Sequence, residues 1–411
     1  MLNINADRLL SDLYELRQIG AYKTGVHRPT LSEDDMRARR WLVDKLEAVG
    51  HVAHIDGIAT VISRAPGDGP KLLAGSHIES QNHAGWLDGA LGIVYALEAA
   101  RAVAEDADLK ARGAGVDVIA FSDEEGHFGG FFGSKSFVGD LSEDTIDAAC
   151  DRTHGTPLRE MLATAGLAGV PRVTLERDRY RAFLEAHIEQ GDSLESDGLS
   201  IGVVTSIVAI WQYRVVCEGA QNHAGTTRMA TRKDAGAALR RICRRIEETF
   251  PDIAAERSVW TVGRMTLEPG GPSIIPGHAE MLFQFRDADP DVLARLHAAL
   301  ATIVTEEDSA GPCSARLEVI SQTTPAVMVR EVQSAFVTAA DAFAPTKHIM
   351  MPSGAGHDAQ VIAPHLPTGM LFVPSIGGIS HHWSENTSDD DIVVGGRVFA
   401  GAAGALLSQP R

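Results

Sequence analysis

Short apolar runs alternate with helical patterns in the first half of this 411-residue chain, and few folds accommodate that alternation. Residues 71–74 and 116–121 are predicted to be buried strands because they are short, continuous and apolar. One helix is predicted to begin after Ser32 and to stop at Gly50, and another to cover residues 88–104, each with one apolar face. Strands and helices in this order form a sheet covered by helices, so the sequence predicts an α/β fold.

From about residue 211 the pattern changes to strand, helix, two strands, helix and strand. This order is the split βαβ, or ferredoxin-like, arrangement. The alternation of short strands and helices resumes near residue 327. The segment between the two alternating regions is therefore predicted to be an inserted domain. We expect one domain formed by residues 1–210 and 327–411 and an inserted α+β domain at residues 211–326. The inserted elements are predicted at residues 213–217, 234–250, 258–267, 280–286, 291–306 and 315–320.

The composition excludes several classes of protein. A formal net charge of -18 argues against nucleic acid and anionic membranes as partners, because both bind basic surfaces. The four cysteines are widely separated, so neither a disulfide framework nor a thiolate zinc site is expected. The start shows no signal-peptide pattern and no uninterrupted apolar segment is long enough to cross a bilayer, so a cytoplasmic location is expected.

Polar segments follow several of the predicted strands, where open α/β sheets place their sites. They fall at residues 75–79, 85–89, 121–126, 185–191 and 375–382. Between them they contain His77, Asp88, Glu124, Glu125, His187 and His381. Two divalent ions that share a carboxylate need a bridging Asp, a further carboxylate and about three imidazoles, and this inventory supplies them. The adjacent Glu124 and Glu125 provide one ligand and one general base.

Seven short strings then resemble one enzyme family over roughly residues 70 to 395. They resemble the N-carbamoyl-L-amino acid hydrolase, β-ureidopropionase and allantoate amidohydrolase branch of the aminoacylase-type di-metal peptidases. The strings are GSH (75–77), DGALG (88–92), DEEG (123–126), HIEQG (187–191), NHAGTT (222–227), MPSGAGHDA (351–359) and GGISH (377–381). Each string alone is a weak signal, but their number and order together make a strong one.

The resemblance implies a di-metal exopeptidase-like catalytic domain with two divalent ions per subunit. It implies that His77 and His187 bind the first ion, that Glu125 and His381 bind the second, and that Asp88 is shared. Glu124 becomes the general base and then the general acid. Zinc, manganese, cobalt and nickel are all compatible, because ligand type separates them poorly.

The resemblance also implies the residues that contact the substrate and the role of the inserted domain. The implied substrate contacts are Gln190, His223, Ser273, Arg286, Gly356 and His357. His223 is assigned a catalytic role as donor to the oxyanion, with a turn-stabilising role after Asn222 as the alternative. Arg286 has a surface ion pair as its alternative. The inserted domain is expected to act as a lid and to form a homodimer.

Two residues behind or beside this site depart from the family pattern. Glu79 stands where the family usually has Asp, so the outer partner expected to orient His77 is one methylene longer. Ser273 stands where the family usually has Asn, which removes an amide expected to bind the substrate. Asp358 is a second outer residue lining the site, whereas His83, His127 and His382 are expected to be structural because the ligand set is complete without them.

These observations predict hydrolysis of a linear amide or ureido bond of a small carboxylate substrate. The expected substrates are an N-carbamoyl-L-amino acid or a related ureido acid such as allantoate, ureidoglycolate or N-carbamoyl-β-alanine. One alternative is an aminoacylase or dipeptidase that uses the same metals. Another is a catalytically silent metal-binding regulatory protein, although decay of that kind should have removed Glu124 or a ligand.

Overall fold

The structure, a computed structural model, describes residues 1–409. Its strands are β1 (Ala21–Tyr22), β2 (Gly25–Val26), β3 (Val52–Ile55), β4 (Val61–Arg64), β5 (Lys71–His77), β6 (Gly115–Phe121), β7 (Tyr180–Ile188), β8 (Ile201–Ile207), β9 (Ala209–Glu218), β10 (Asn222–His223), β11 (Val259–Glu268), β12 (Ile274–Ile275), β13 (His278–Asp287), β14 (Ser314–Gln322), β15 (Ala326–Val327), β16 (His348–Ser353) and β17 (Thr368–Val373). Its α-helices are α1 (Ala6–Arg17), α2 (Glu33–Ala48), α3 (Ala90–Glu105), α4 (Ala107–Ala111), α5 (Phe132–Val138), α6 (Glu143–Ala148), α7 (Leu158–Thr164), α8 (Ser193–Ser196), α9 (Ala235–Thr249), α10 (Pro290–Ala310), α11 (Arg330–Phe343), α12 (Asp358–Ile362) and α13 (Asp389–Ser408).

The chain divides into two compact units. The first consists of Met1–Ser206 together with the chain from Val327 onwards, and the second is the continuous segment Ile207–Ala326. These limits lie close to the boundaries that the sequence predicts after residues 210 and 326. The functions expected of the inserted unit, as lid and dimerisation domain, stay predictions.

The first unit is built on a sheet with the strand order β15-β8-β17-β7-β5-β6-β4-β3, in which β16 also pairs with β8. Strands β17, β7, β5 and β6 are parallel, so their carboxyl ends lie at one edge of the sheet. Every residue of β5 and β6 is buried, which explains their continuous apolar sequences. Helices α3, α11 and α13 pack with this sheet around the main hydrophobic core.

The helices of the first unit form where the sequence predicts them. α2 begins after Ser32, whose hydroxyl accepts the backbone N–H of Asp35, and it ends just before Gly50. α3 begins two residues later than the predicted start and ends one residue later than the predicted end. Capping residues and apolar periodicity in the sequence therefore predicted the ends of α2 and α3 to within a few residues.

One helix within residues 1–409, α13, has the length and hydropathy of a membrane span. About 67% of its most apolar window is buried inside the protein, where it packs against α3 and α11. Ser388 caps its start, and the run of aspartates at 389–391 lies in its first turn, where negative charge is favourable. The apolar composition of α13 is accounted for by its place in the core.

The second unit contains a four-stranded antiparallel sheet in the order β11-β13-β9-β14. Helices α9 and α10 cover one face of this sheet and enclose a separate hydrophobic core. Strand β13 alternates half-buried and buried residues along its whole length, as expected of a strand with only one covered face. The predicted fold class, α/β with an inserted split βαβ unit, is confirmed.

Candidate metal centre

Side chains converge at the carboxyl ends of the parallel strands in the first unit. His77 is the last residue of β5, and His187 lies one residue before the end of β7. Glu124 and Glu125 follow the end of β6. Because parallel strands end at the same edge of a sheet, residues far apart in sequence become neighbours here. The loops before α3 and after β17 contribute Asp88 and His381.

The possible ligand atoms fall into two groups that share one carboxylate, and within each group they lie within 4.8 Å of one another. In the first group, Asp88 Oδ1 lies 3.4 Å from His77 Nε2 and 3.0 Å from His187 Nε2. In the second, His381 Nε2 lies 3.3 Å from Asp88 Oδ2 and 3.6 Å from Glu125 Oε2. The two oxygens of Asp88 therefore face different groups, as in a carboxylate that bridges two cations.

Hydrogen bonds on the far side of two imidazoles direct their inner nitrogens towards Asp88, and His187 Nε2 also accepts the backbone N–H of Gly89 at 3.2 Å. His77 Nδ1 lies 3.1 Å from the main-chain oxygen of Glu79, and His187 Nδ1 lies 2.9 Å from that of Ile188. A carbonyl can only accept, so each Nδ1 carries the proton and each Nε2 presents a lone pair towards Asp88. His77 Nε2 is buried and has no hydrogen-bond partner. These donor atoms fit divalent cations.

Position 89, beside this cluster of candidate ligands, requires a glycine. It lies immediately before α3 with φ +66, and a Cβ at this position would lie 2.4 Å from atoms of the His77 ring. Any larger residue would displace the imidazole as well as strain the backbone. The Gly after Asp88 therefore lets the loop bring this carboxylate against His77.

The charges of the cluster also favour a bound cation. Burial alone would raise the pKa of Asp88, but with the imidazoles protonated, as in the absence of an ion, His187 and then His381 and His77 hold this pKa well below its usual range. Burial, followed by the charge of Asp88, raises the pKa of Glu125 to about 7. Buried carboxylates at this spacing repel one another unless positive charge compensates them. Divalent ions would supply that charge.

Glu124 lies beside the first group without belonging to either. Its Oε2 is 3.7 Å from His77 Nε2, and its side chain is only 10% exposed. Burial, together with the charges of Glu125, Asp358 and Asp88, raises the pKa of Glu124 well above its usual range. A carboxylate with a raised pKa binds a proton more readily, which is the property required of a general base.

The side chain of Glu79 has a different role from the predicted one. Its Oε2 accepts a hydrogen bond of 2.6 Å from Arg39, and its Oε1 accepts the backbone N–H of Glu124 at 2.8 Å. His77 is oriented instead by the main-chain oxygen of Glu79. The assignment of the Glu79 carboxylate to His77 is therefore corrected: the longer side chain reaches past the imidazole and holds the backbone of Glu124.

Four other predicted residues also lie near the cluster in the first unit. The amide nitrogen of Gln190 donates to Asp88 Oδ2 at 3.0 Å, so this residue contacts a candidate ligand directly. His357 is buried, with its ring centroid 4.6 Å from that of His187. Asp358 is fully buried at the start of α12, and a Cβ on Gly356 would lie 3.1 Å from the Phe131 ring.

The second unit carries His223 and Ser273 at a small two-stranded ribbon, His223 in β10 and Ser273 just before β12. β10 pairs with β12, and the backbone N–H of Ala224 donates to the Ser273 oxygen at 2.9 Å. His223 Nδ1 accepts the N–H groups of Gly225 and Thr226 at 3.0 and 3.2 Å, so Nε2 carries the proton. His223 thus stabilises its turn, as the alternative interpretation expected, and the same bonds make Nε2 a donor.

Arg286 lies far from that ribbon within the second unit. It is near the end of β13, eight residues after His278, where the strand begins next to the ribbon. At about 3.4 Å per residue, His278 and Arg286 are separated by about 27 Å. Arg286 and His223 of one subunit therefore cannot contact the same small molecule.

The extra histidines stand outside both ligand groups. His83 stacks on His27 with ring centroids 4.3 Å apart, and His382 Nδ1 bonds to Ser384 at 2.7 Å. His127 Nε2 bonds to the Ser80 oxygen at 3.0 Å. Each of the three rings has a contact that accounts for its orientation without an ion.

Comparison with known proteins identifies the family of this chain. Residues 66–405 match the peptidase family M20/M25/M40. The chain belongs to this family. It is similar to the N-carbamoyl-L-amino-acid amidohydrolase of Paenarthrobacter aurescens, at 33% identity covering 98% of each chain. It is also similar to the allantoate amidohydrolase of Escherichia coli K12, at 31% identity covering 92% of each.

A solved member of similar shape is an amidase of the hydantoinase/carbamoylase family from Burkholderia phymatum. It is 46% identical to this chain, covers 99% of both chains and superimposes with a TM-score of 0.92. The resemblance drawn from the seven strings is therefore confirmed at the level of the M20/M25/M40 family and of the amidohydrolases within it.

This member of the M20/M25/M40 family contains supporting residues that the sequence did not reveal. Gln81 donates to Glu125 Oε1 through its backbone N–H at 3.1 Å and to Oε2 through its amide at 2.7 Å. The Asp123 carboxylate accepts the backbone N–H groups of Phe128, Gly129 and Gly130, each at 3.0 Å. Its place as the first residue of the DEEG string was the only sequence signal for Asp123, and no signal distinguished Gln81.

Proposed function

We propose that this protein is a metal-dependent amidohydrolase that cleaves a linear amide or ureido C–N bond of a small carboxylate substrate. The observation that carries the proposal is the pair of ligand groups sharing Asp88, with Glu124 beside them, in a member of the M20/M25/M40 family. The preferred substrates are N-carbamoyl-L-amino acids and related ureido acids, as the names of the relatives suggest.

The site is proposed to hold two divalent ions per subunit, drawn from zinc, manganese, cobalt and nickel. His77 and His187 would hold one ion, Glu125 and His381 the other, and Asp88 both. Such ions lower the pKa of water and polarise the carbonyl of the substrate. Glu124 would take the proton from the attacking water and deliver it to the leaving nitrogen.

Groups of the inserted unit are proposed to bind the remaining parts of the substrate. The protonated Nε2 of His223 can donate a hydrogen bond to the oxyanion that forms at the substrate carbonyl. Arg286 presents a planar guanidinium, which matches a carboxylate better than an ammonium group does. On the first unit, Gln190, Gly356 and His357 are proposed to line the substrate position.

A homodimer is proposed to bring these groups together. β11 is an edge strand of ten residues whose large apolar side chains are exposed: Val259, Val262, Met265 and Leu267. Long exposed edges of this kind pair readily with another strand. A symmetric dimer would place His223 of one subunit and Arg286 of the other near one site, which a single subunit cannot do.

All four cysteines are free, which supports a cytoplasmic location.

The substrate class is tested by the products. The metal-loaded protein is expected to release ammonia from at least one ureido acid, with an equal amount of free amino acid where the substrate is a carbamoyl amino acid, because the carbamate product loses carbon dioxide and ammonia. The screen contains carbamoyl amino acids, allantoate, ureidoglycolate, acyl amino acids and dipeptides. Amine without ammonia, from acyl or peptide substrates only, would favour an aminoacylase or dipeptidase. No turnover of any substrate would contradict the proposal.

The shared site is tested by mixing inactive variants. Arg286→Ala and His223→Ala are each mixed with Glu124→Gln and allowed to exchange subunits. A residue that acts on its partner's metals is complemented in the mixed dimer, whereas one that acts on its own metals is not. One mixture should therefore regain about a quarter of the wild-type rate and the other none, since half the dimers are mixed and each has one complete site. Recovery in both, or in neither despite demonstrated exchange, would contradict a site shared in this way.

A further inference from the structure

Glu385 is a buried carboxylate that belongs to neither candidate ligand group. It is 1% exposed, and each of its oxygens accepts hydrogen bonds. Oε1 accepts the backbone N–H groups of Leu87 and Asp88, at 3.2 and 3.1 Å. Oε2 accepts the hydroxyl of Ser380 at 3.0 Å. One side chain therefore joins the loop that carries Asp88 to the loop that carries His381.

The partners of Glu385 adjoin the shared ligand on both sides. One bond is made to the backbone of Asp88 itself, and Ser380, the residue before His381, has its hydroxyl 3.4 Å from Asp88 Oδ2. The two loops are almost 300 residues apart in sequence, with a separation of 297 between Asp88 and Glu385. Their relative position sets the distance between Asp88 Oδ2 and His381 Nε2, which is 3.3 Å.

The chain leaves space for this carboxylate at Gly85. A Cβ added to Gly85 would lie 1.9 Å from Glu385 Oε1 and 2.0 Å from its Cδ, and the three nearest atoms all belong to that carboxyl group. The φ of Gly85 is not in the left-handed region, so its backbone would accept alanine. The absence of a side chain at Gly85 is therefore explained by the position of Glu385.

We propose that Glu385 is a positioning residue of the metal centre, which fixes the Asp88 loop against the His381 loop so that the second ion can bind. This proposal rests on the proposed function, because it assumes that Asp88, Glu125 and His381 hold an ion. Hydrogen bonds from backbone N–H groups to a buried carboxylate are strong, and their loss leaves buried donors without partners. Partners of metal ligands commonly change metal affinity by 10–100-fold when they are removed.

The experiment measures Co²⁺ binding to the metal-free protein by absorption spectroscopy and calorimetry. Glu385→Ala is expected to weaken one of the two Co²⁺ sites, the one formed by Asp88, Glu125 and His381, by about 10–100-fold. Glu385→Gln should stay within a few-fold of wild type, because its amide oxygen can accept both backbone N–H groups and its NH₂ can donate to Ser380. Rescue by the glutamine variant separates positioning by hydrogen bonds from a requirement for negative charge.

Two further variants distinguish positioning from general destabilisation. Gly85→Ala should weaken Co²⁺ binding as Glu385→Ala does, because it expels the carboxylate. The double variant should be no worse than Glu385→Ala alone, since the clash disappears with the carboxylate. Glu195→Ala is the matched control: Glu195 accepts the backbone N–H of Gly377 at 2.6 Å in the same region without contacting Asp88. It should bind Co²⁺ like wild type.

The outcomes separate this inference from the proposed function. If the wild-type protein binds no Co²⁺, the metal centre itself is wrong. If wild type binds two ions and Glu385→Ala binds both with unchanged affinity, Glu385 does not position the centre. If the double variant loses as much Co²⁺ affinity as the sum of the losses in Gly85→Ala and Glu385→Ala, the link between Gly85 and Glu385 is wrong. Should Glu385→Ala fail to fold, Gly85→Ala and Glu385→Gln still decide the question. The first should weaken Co²⁺ binding and the second should leave it close to that of wild type.

Discussion

Glu124→Gln should bind both metal ions as tightly as the wild-type protein while its turnover falls by at least ~100-fold. Glu124 belongs to neither ligand group, although its Oε2 is 3.7 Å from His77 Nε2. Glutamine has the same shape but cannot accept a proton at neutral pH. The chemical step is therefore lost and the centre is kept. Metal content after dialysis and the single-turnover rate are the two measurements.

Asp88→Ala is the matched comparison for that result. Because Asp88 offers one oxygen to each group, its removal should weaken both sites together and not one alone. Glu124→Gln and Asp88→Ala should therefore both be inactive and differ in metal content. Loss of an ion from Glu124→Gln on the scale seen for Asp88→Ala would show that Glu124 is a ligand and would overturn its assignment as base.

Arg39→Met should destabilise the metal-free protein by about 3–5 kcal/mol, because it leaves two buried carboxylates without their cation. Arg39, Asp35 and Glu79 all have 0% exposed side chains, and Arg39 bonds to Asp35 at 3.0 Å and to Glu79 at 2.6 Å. It also donates to the main-chain oxygens of Ala120 and Phe121 at the end of β6. Urea unfolding of the chelated protein measures the loss.

The control for this prediction lies on the same helix. Arg37 forms an exposed pair with Asp34 at 2.6 Å, so Arg37→Met should change stability by no more than about 1 kcal/mol. The loss in Arg39→Met should also be smaller at pH 5 than at pH 8. Arg39 lowers the pKa of Asp35 and of Glu79, so its loss raises both, and the penalty shrinks as pH falls below the raised values towards the unfolded-state pKa. Equal losses for the two variants, or a loss that grows at low pH, would contradict the buried network.

The sequence could predict that these candidate ligands lie together because sheet topology brings strand ends together. His77 and Glu124 follow predicted strands, and His187 lies in a polar segment expected at a strand end. Parallel pairing of β5 with both β6 and β7 places them at one edge. Hydrophobic periodicity and the positions of strand ends are sufficient to infer which residues lie together, because neither depends on where individual side-chain atoms lie.

The role of Glu79 could not be predicted in the same way. Whether its carboxylate reaches His77 or the backbone of Glu124 depends on one methylene and on Arg39, which comes from α2. Glu385 was missed for a related reason, because it acts on backbone N–H groups of a distant loop and leaves no motif of its own. Contacts with the main chain of a distant loop carry no sequence pattern.

The separation of His223 from Arg286 is a third property that motifs did not reveal. Both were predicted to contact substrate, and the motif strings give no distance between them. Only the register of β13, which extends from His278 to Asp287, places them at opposite ends of the inserted sheet. If both residues contact one substrate molecule, as proposed, two subunits are needed and the proposed dimer is a condition for activity.

Anomalous diffraction from crystals grown with Co²⁺ tests the central claim most directly. Two peaks per subunit are predicted on either side of Asp88, with ligand distances of about 2.0–2.2 Å. One peak should contact His77 and His187, and the other Glu125 and His381, with Glu124 in contact with neither. A single peak, or a peak bound by Glu124, would contradict a two-ion centre in which Glu124 is the base.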